Sequence, residues 1–108
     1  SRAAAARAAL DAAHQALTRT LESEDELLLG LAGRWPSEQA AVASASAVLQ
    51  SFERQFDAGR KSWLDVLNAA RELTVAELGA ATLQVELAAT WARLAALAEL
   101  RFAAEAAS

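Results

Sequence analysis

Residues 55–67 read QFDAGRKSWLDVL, and this stretch decides how the chain folds. Gly59 predicts the end of a helix, because glycine adopts the left-handed conformation of a C-cap without a Cβ clash. Ser62 predicts the N-cap of the next helix, and Asp65 three residues later completes a variant of the capping box. Helices joined by so short a turn pack antiparallel, so the stretch predicts the tip of a helical hairpin.

The composition favours long helices over a broad hydrophobic core. The chain has 108 residues and is 55% hydrophobic, but alanine, which buries little area, supplies much of that fraction. Alanine, leucine, glutamate and arginine together are typical of coiled coils and long helices. Four glycines and one proline leave almost no material for loops. We therefore predict one all-α domain held together by narrow seams between helices.

Two long helices with one interruption account for nearly the whole chain. Helix-forming sequence covers about residues 2–57 and 63–106, on either side of a tip turn at 58–62. Pro36 predicts a break near 33–37, because proline removes a backbone donor and clashes with the preceding turn. The first helix then either bends there and pairs with the last helix, or reverses to form a three-helix bundle. We favour the kinked hairpin, because a three-helix arrangement leaves half of the last helix bare.

Apolar residues at steps of three or four mark the last helix most clearly. One seam consists of Val66, Ala70, Leu73, Ala76, Ala80, Leu83, Leu87, Trp91, Leu94 and Leu97. A second stripe consists of Leu64, Leu67, Val75, Leu78, Thr82, Val85 and Ala89. A repeat of 3.5 residues predicts a left-handed coiled coil, and two apolar stripes predict more than one neighbouring helix. The neighbours could come from missing parts of the same protein or from other subunits, and we expect this chain alone to dimerise.

A search for catalytic and ligand-binding groups finds almost nothing. The sequence has no cysteine or tyrosine and a single histidine, His14, so the usual nucleophile–base pairs cannot be built. No constellation of metal ligands is visible, and no run approaches the roughly 20 apolar residues of a spanning helix. The net charge of −4 and the scattered basic residues argue against nucleic acid and anionic membranes as partners. We predict a protein that is not an enzyme and needs no cofactor or metal.

The predicted turn carries an unusual concentration of charge. Arg60 and Lys61 lie between Asp57 and Asp65, so four charges fall within nine residues. On one interpretation, these charges only keep an exposed turn soluble. On the other, the tip is a recognition or gating element, because loops positioned by a rigid scaffold commonly carry function.

At this point the motif resembles a known family. Residues 56–69 follow the pattern F-x-x-G-x-x-S-W-x-D-V-L-N-A, residues 71–73 read REL, and a long alanine- and leucine-rich helix follows. This resembles the outer-membrane efflux proteins, the TolC-like channel-tunnels, and among them the type I secretion members. In that family such a segment forms the periplasmic tip of a coiled-coil hairpin. The specific motif covers about residues 52–73, and the likeness extends loosely over 15–100.

The resemblance implies that the chain is one periplasmic hairpin, of the second repeat, in a larger machine. Members of the family are homotrimers whose two repeats per subunit build a twelve-helix barrel through the periplasm below an outer-membrane pore. They serve type I secretion or drug efflux together with a periplasmic adaptor protein and an inner-membrane transporter. Contact with the membrane would come from parts of the protein other than this chain. A generic helical-hairpin interaction module is the alternative hypothesis.

The resemblance also assigns roles to residues at the tip. It implies that Asp65 and Asn68 line the channel constriction, where a ring of three carboxylates would favour cations. Lys61 occupies the position of a basic residue that latches the closed tip to the neighbouring hairpin. The residues implied in the latch and in docking of the adaptor are Phe56, Asp57, Gly59, Arg60, Lys61 and Ser62.

Overall fold

The computed structural model describes residues 1–107, which form two α-helices joined by one turn. Helix α1 spans Arg2–Asp57 and helix α2 spans Trp63–Ala107. The described residues contain no strand, so the predicted all-α helical hairpin is confirmed. Two compact units divide the chain. The tip unit is Leu31–Glu86, and the arm unit combines Ser1–Gly30 with the part of α2 that begins at Leu87.

In the tip unit, the two helices pack through one seam on each. The seam positions, all of them buried or half-buried, alternate in steps of three and four, which is the heptad pattern of a left-handed coiled coil. In α1 they are Leu31, Trp35, Glu38, Val42, Ala45, Leu49 and Phe52. In α2 they are Val66, Ala69, Leu73, Ala76, Ala80 and Leu83. Antiparallel pairing follows from the close approach of Glu38 to Gly79, where an added Cβ would lie 2.9 Å from Glu38 Oε2.

The arm unit repeats the same alternation of steps. Its α1 seam positions are His14, Leu17, Leu21, Glu24 and Leu28, and its α2 positions are Leu87, Thr90, Leu94 and Leu97. Polar residues enter this seam as a connected group. The Arg93 Nε donates to both carboxylate oxygens of Glu24, at 3.3 and 3.4 Å, and its Nη2 donates to the Thr90 hydroxyl at 3.1 Å. This polar layer favours one register of pairing, because a shifted register would separate Arg93 on α2 from Glu24 on α1.

The observed seam corrects two positions of the predicted one. Trp91 is 63% exposed, whereas its neighbour Thr90 is only 1% exposed and occupies the seam. Likewise Ala69 is buried where the sequence favoured Ala70, which is half-buried. The physical reason is the strict alternation of steps. Two successive steps of four, from Leu83 through Leu87 to residue 91, would rotate a side chain away from the facing helix.

Pro36 lies inside α1, and the helix continues through residues 33–37. The interruption predicted there is therefore not a helix end, and the chain reversal required for a three-helix bundle does not occur. A proline removes only one backbone hydrogen bond, and the pairing around it offsets that loss. Pro36 itself is exposed, while Trp35 and Glu38 on either side keep the heptad phase of the seam.

Candidate functional site

The first half of the tip is a glycine C-cap that ends α1. Gly59 has a φ of 76°, in the left-handed region that favours glycine. Its N–H donates to the Phe56 carbonyl at 2.9 Å, and the Arg60 N–H donates to the Gln55 carbonyl at 2.7 Å. This pair of bonds is the Schellman motif, which satisfies carbonyls at a helix end. The C-cap predicted from the sequence is confirmed.

The second half of the tip is a reciprocal cap that starts α2. The Asp65 N–H donates to the Ser62 hydroxyl at 3.2 Å, and the Ser62 N–H donates back to Asp65 Oδ2 at 3.1 Å. The Ser62 hydroxyl also donates to Asp65 Oδ2 at 2.9 Å. These bonds confirm the predicted capping box, with aspartate in the place where glutamate or glutamine is usual.

The same bonds favour the ionised form of Asp65. Its pKa is lowered from the usual range, first by the hydrogen bond from the Ser62 backbone and then by that from the Ser62 hydroxyl. Desolvation opposes this shift to a smaller degree, and the positive charge of Lys61 adds to it. Asp65 therefore carries a negative charge at neutral pH.

The lowered pKa predicts how stability depends on pH. Ionised Asp65 stabilises the fold fully above its unfolded pKa of about 3.9, and this contribution is lost as the pH falls through the lower folded value. We expect thermal unfolding to show a stability difference between the wild type and Asp65→Asn at pH 7 that shrinks below about pH 4. A difference that stayed constant from pH 7 to pH 3 would contradict the assigned cap.

Lys61 is held against its own chain. Its Nζ lies 4.3 Å from the centroid of the Phe52 ring, which is within the range of a cation–π contact. Arg60 is exposed, and no ion pair joins the charged tip residues in the part of the chain that the structure describes. The role of Lys61 as a latch to a neighbouring hairpin stays a prediction, and a latch would have to compete with Phe52.

Large apolar side chains cluster around the turn on the outside of the protein. Phe56, Trp63 and Leu64 are all exposed, as is Arg60 beside them, and we call these four residues the tip surface. Trp63 and Leu64 were not among the residues that the sequence assigned to docking. Their exposure could have been predicted from their position in the first turn of α2, because residues so close to the tip have little of α1 to pack against.

Asp65 and Asn68 lie together on one side of the tip unit. They line a shallow groove of about 450 Å³, and the next turn of α2 adds a second carboxylate, that of Glu72. The α1 side of this groove is formed by Ala41, Ser44, Ala45, Val48 and Phe52. Asp65 and Asn68, the predicted constriction pair, thus lie on the same face of the tip unit. The small residues of α1 leave the groove beside them open.

Other kinds of site are not visible in residues 1–107. These residues contain no group of three or more histidine, cysteine or acidic side chains arranged to hold a metal ion. Neither helix includes a stretch that is both long and apolar enough to cross a bilayer. The tip surface and the adjoining groove of Asp65 are therefore the candidate functional site.

Comparison with known proteins adds no further constraint. No protein family, no curated protein and no solved structure matches the chain. The likeness to TolC-like channels consequently rests on the sequence alone, chiefly on the tip motif within residues 52–73.

Proposed function

We propose that this chain is the periplasmic helical hairpin of a trimeric outer-membrane channel for type I secretion or drug efflux. In this proposal its tip gates the channel and docks the periplasmic adaptor protein. The observation that carries the proposal is the tip itself, where two adjoining caps set Asp65 and Asn68 on one face at the start of α2. That arrangement follows the motif that resembles the TolC-like family.

The charge of Asp65 supports a role as a selective constriction. Three copies of the hairpin meeting at a closed tip would place three Asp65 carboxylates in a ring, where the Ser62 hydrogen bonds favour the ionised form of each and the repulsion between the three charges opposes it. A ring of carboxylates attracts cations and rejects anions. In this arrangement the Asn68 side chains form the next ring, one turn further along α2, and contribute polarity without charge.

The tip surface supports docking of a protein partner. Trp63, Phe56 and Arg60 belong to residue types that are enriched in protein–protein interfaces, and all three are exposed here. A periplasmic adaptor that bridges to the inner-membrane transporter would bury Trp63 and Leu64. Opening then requires the tip helices to move outward, which separates the carboxylate ring and widens the path.

A generic helical-hairpin interaction module is the second candidate function. The exposed aliphatic residues of α2 favour it, because Val75, Leu78 and Val85 would suit a partner helix of any origin. The two functions differ at Asp65. A channel tip needs its charge for conduction, whereas an interaction module needs Asp65 only as a helix cap.

The experiment that tests the proposal is the replacement of Asp65 by asparagine in the full protein that carries this hairpin. We expect the assembled channel to lose its preference for cations. Unaltered ion conduction would count against the channel tip.

A further inference from the structure

Over residues 74–85, the face of α2 that points away from the seam carries no charged side chain, and Arg71 marks its limit toward the tip. Its members are all exposed and none is charged: Thr74, Val75, Leu78, Ala81, Thr82 and Val85. We call these six residues the outer face of α2. In a helix with a single partner, the side opposite the seam normally carries charged and polar residues. This face therefore lacks a partner in the isolated hairpin.

The total exposed area of the chain also indicates a surface without a partner. The chain exposes 7697 Å², whereas a compact monomer of 11.3 kDa exposes about 5,700 Å². The excess of about 2,000 Å² is large enough to contain an interface of the size that stable protein–protein complexes bury. Among residues 1–107, the buried apolar residues are Leu21, Leu31, Ala69 and Leu83.

We propose that the partner is a second copy of this chain, which packs its own outer face of α2 against the first. The two α2 helices run antiparallel about a two-fold axis at Thr82, which gives a closed dimer with the same surface on both copies. This inference rests on the exposed face and area, and it does not depend on the proposed channel.

The spacing of residues makes the outer face complementary to itself. With the axis at Thr82, the Leu78 of each copy lies opposite Val85 of the other, so the largest side chains meet. Glu86, at the edge of this face, lies opposite Gly79 of the other copy, so the acidic side chains do not confront each other. The dimer thus buries aliphatic surface without bringing like charges together.

The corresponding face of α1 offers much less to bury. Its exposed positions in the tip unit include no large aliphatic side chain: Gly33, Pro36, Ser37, Ala40, Ala43, Ser44, Ala47, Gln50 and Arg54. Because hydrophobic stabilisation scales with the apolar area removed from water, association through the outer face of α2 is favoured. Packing of α2 onto the α1 face of another copy is the competing arrangement.

Sedimentation of the 108-residue chain tests the dimer. We expect a monomer–dimer equilibrium whose dissociation constant rises by about 100-fold or more in Leu78→Glu, because the dimer loses a leucine contact twice. Leu29→Glu is the matched control, since Leu29 on α1 is 65% exposed and Leu78 is 62% exposed. Circular dichroism checks that both variants stay helical. A wild type that remains monomeric, or equal weakening by both substitutions, would overturn the proposal.

Thiol cross-linking tests the arrangement independently, because the natural sequence contains no cysteine. We expect Thr82→Cys to form covalent dimers with a short bismaleimide, since the two thiols lie at the two-fold axis. Ser44→Cys on α1 is the control and should stay monomeric. Cross-linking between Thr82→Cys and Ser44→Cys in a mixture, without homodimers of the former, would instead establish the packing of α2 on α1.

Discussion

Replacing Leu83 with alanine is expected to destabilise the hairpin by about 2–5 kcal/mol. Leu83 is 1% exposed and is the largest apolar side chain that is fully buried. Its truncation leaves a cavity in a seam only one side chain wide, which neighbouring residues cannot easily fill. Since whole domains are stable by about 5–15 kcal/mol, this loss is large enough to unfold much of the population. Urea unfolding followed by circular dichroism measures it.

Leu29→Ala provides the comparison for Leu83. Leu29 lies on α1 with its side chain mostly in solvent, so its removal should change the free energy of unfolding by less than about 0.5 kcal/mol. Both variants lose the same atoms, and only the burial differs. Similar losses in the two variants would show that Leu83 does not occupy the seam.

Replacing Gly59 with alanine is expected to cost about 1–2 kcal/mol. The cause is the backbone alone, because Gly59 has a φ of 76° and nothing lies within 4 Å of an added Cβ. Gly33→Ala is the matched control, since position 33 is equally open but lies inside α1. There alanine should stabilise the helix by about 0.5–1 kcal/mol. Thermal unfolding of the two variants should therefore shift in opposite directions.

A shift of the same sign for both glycine variants would contradict the turn. If Gly59→Ala were neutral, α1 could not end in the left-handed cap at position 59. The reversal of the chain between α1 and the N-cap of α2 at Ser62 would then need another structural cause.

The tip was predictable because caps depend on a few adjacent residues. Gly59, Ser62 and Asp65 carry enough local chemistry to specify where one helix ends and the next begins, and the observed hydrogen bonds are those expected. The all-α hairpin followed from the same residues together with the scarcity of turn-forming sequence.

Which residues occupy the seam was harder to predict, because the more apolar residue was not always the one whose position faces the other helix. Trp91 is far more apolar than Thr90, yet Thr90 is buried, since only strict steps of three and four keep facing α1. Strict alternation of steps could have been applied to the sequence and would have placed Thr90 in the seam. The contact of Lys61 with Phe52 could not be predicted from the sequence, because it depends on how the turn brings two helices together.

Pro36 was predicted to bend α1 or, in the three-helix alternative, to end it, and α1 continues through this position. A local rule treats proline as a helix breaker, but the residues around it hold the heptad phase and pair with α2. Tertiary packing therefore outweighs the local preference at this position. The outer face of α2 shows the converse case, since it is exposed in the hairpin and its partner is the second copy that we propose.

We propose that Asp65 forms a charged ring at a channel tip, and ion conduction through the assembled protein tests this role. The full protein that carries this hairpin would be reconstituted in a planar bilayer, and block by divalent cations measured on the tip side. We expect Asp65→Asn to weaken the block by about tenfold or more, because a ring of like charges concentrates counter-ions to that degree. Glu53→Gln, which removes an exposed carboxylate of α1 outside the groove of Asp65, should leave the block unchanged. Equal block in the wild type and Asp65→Asn would contradict the account.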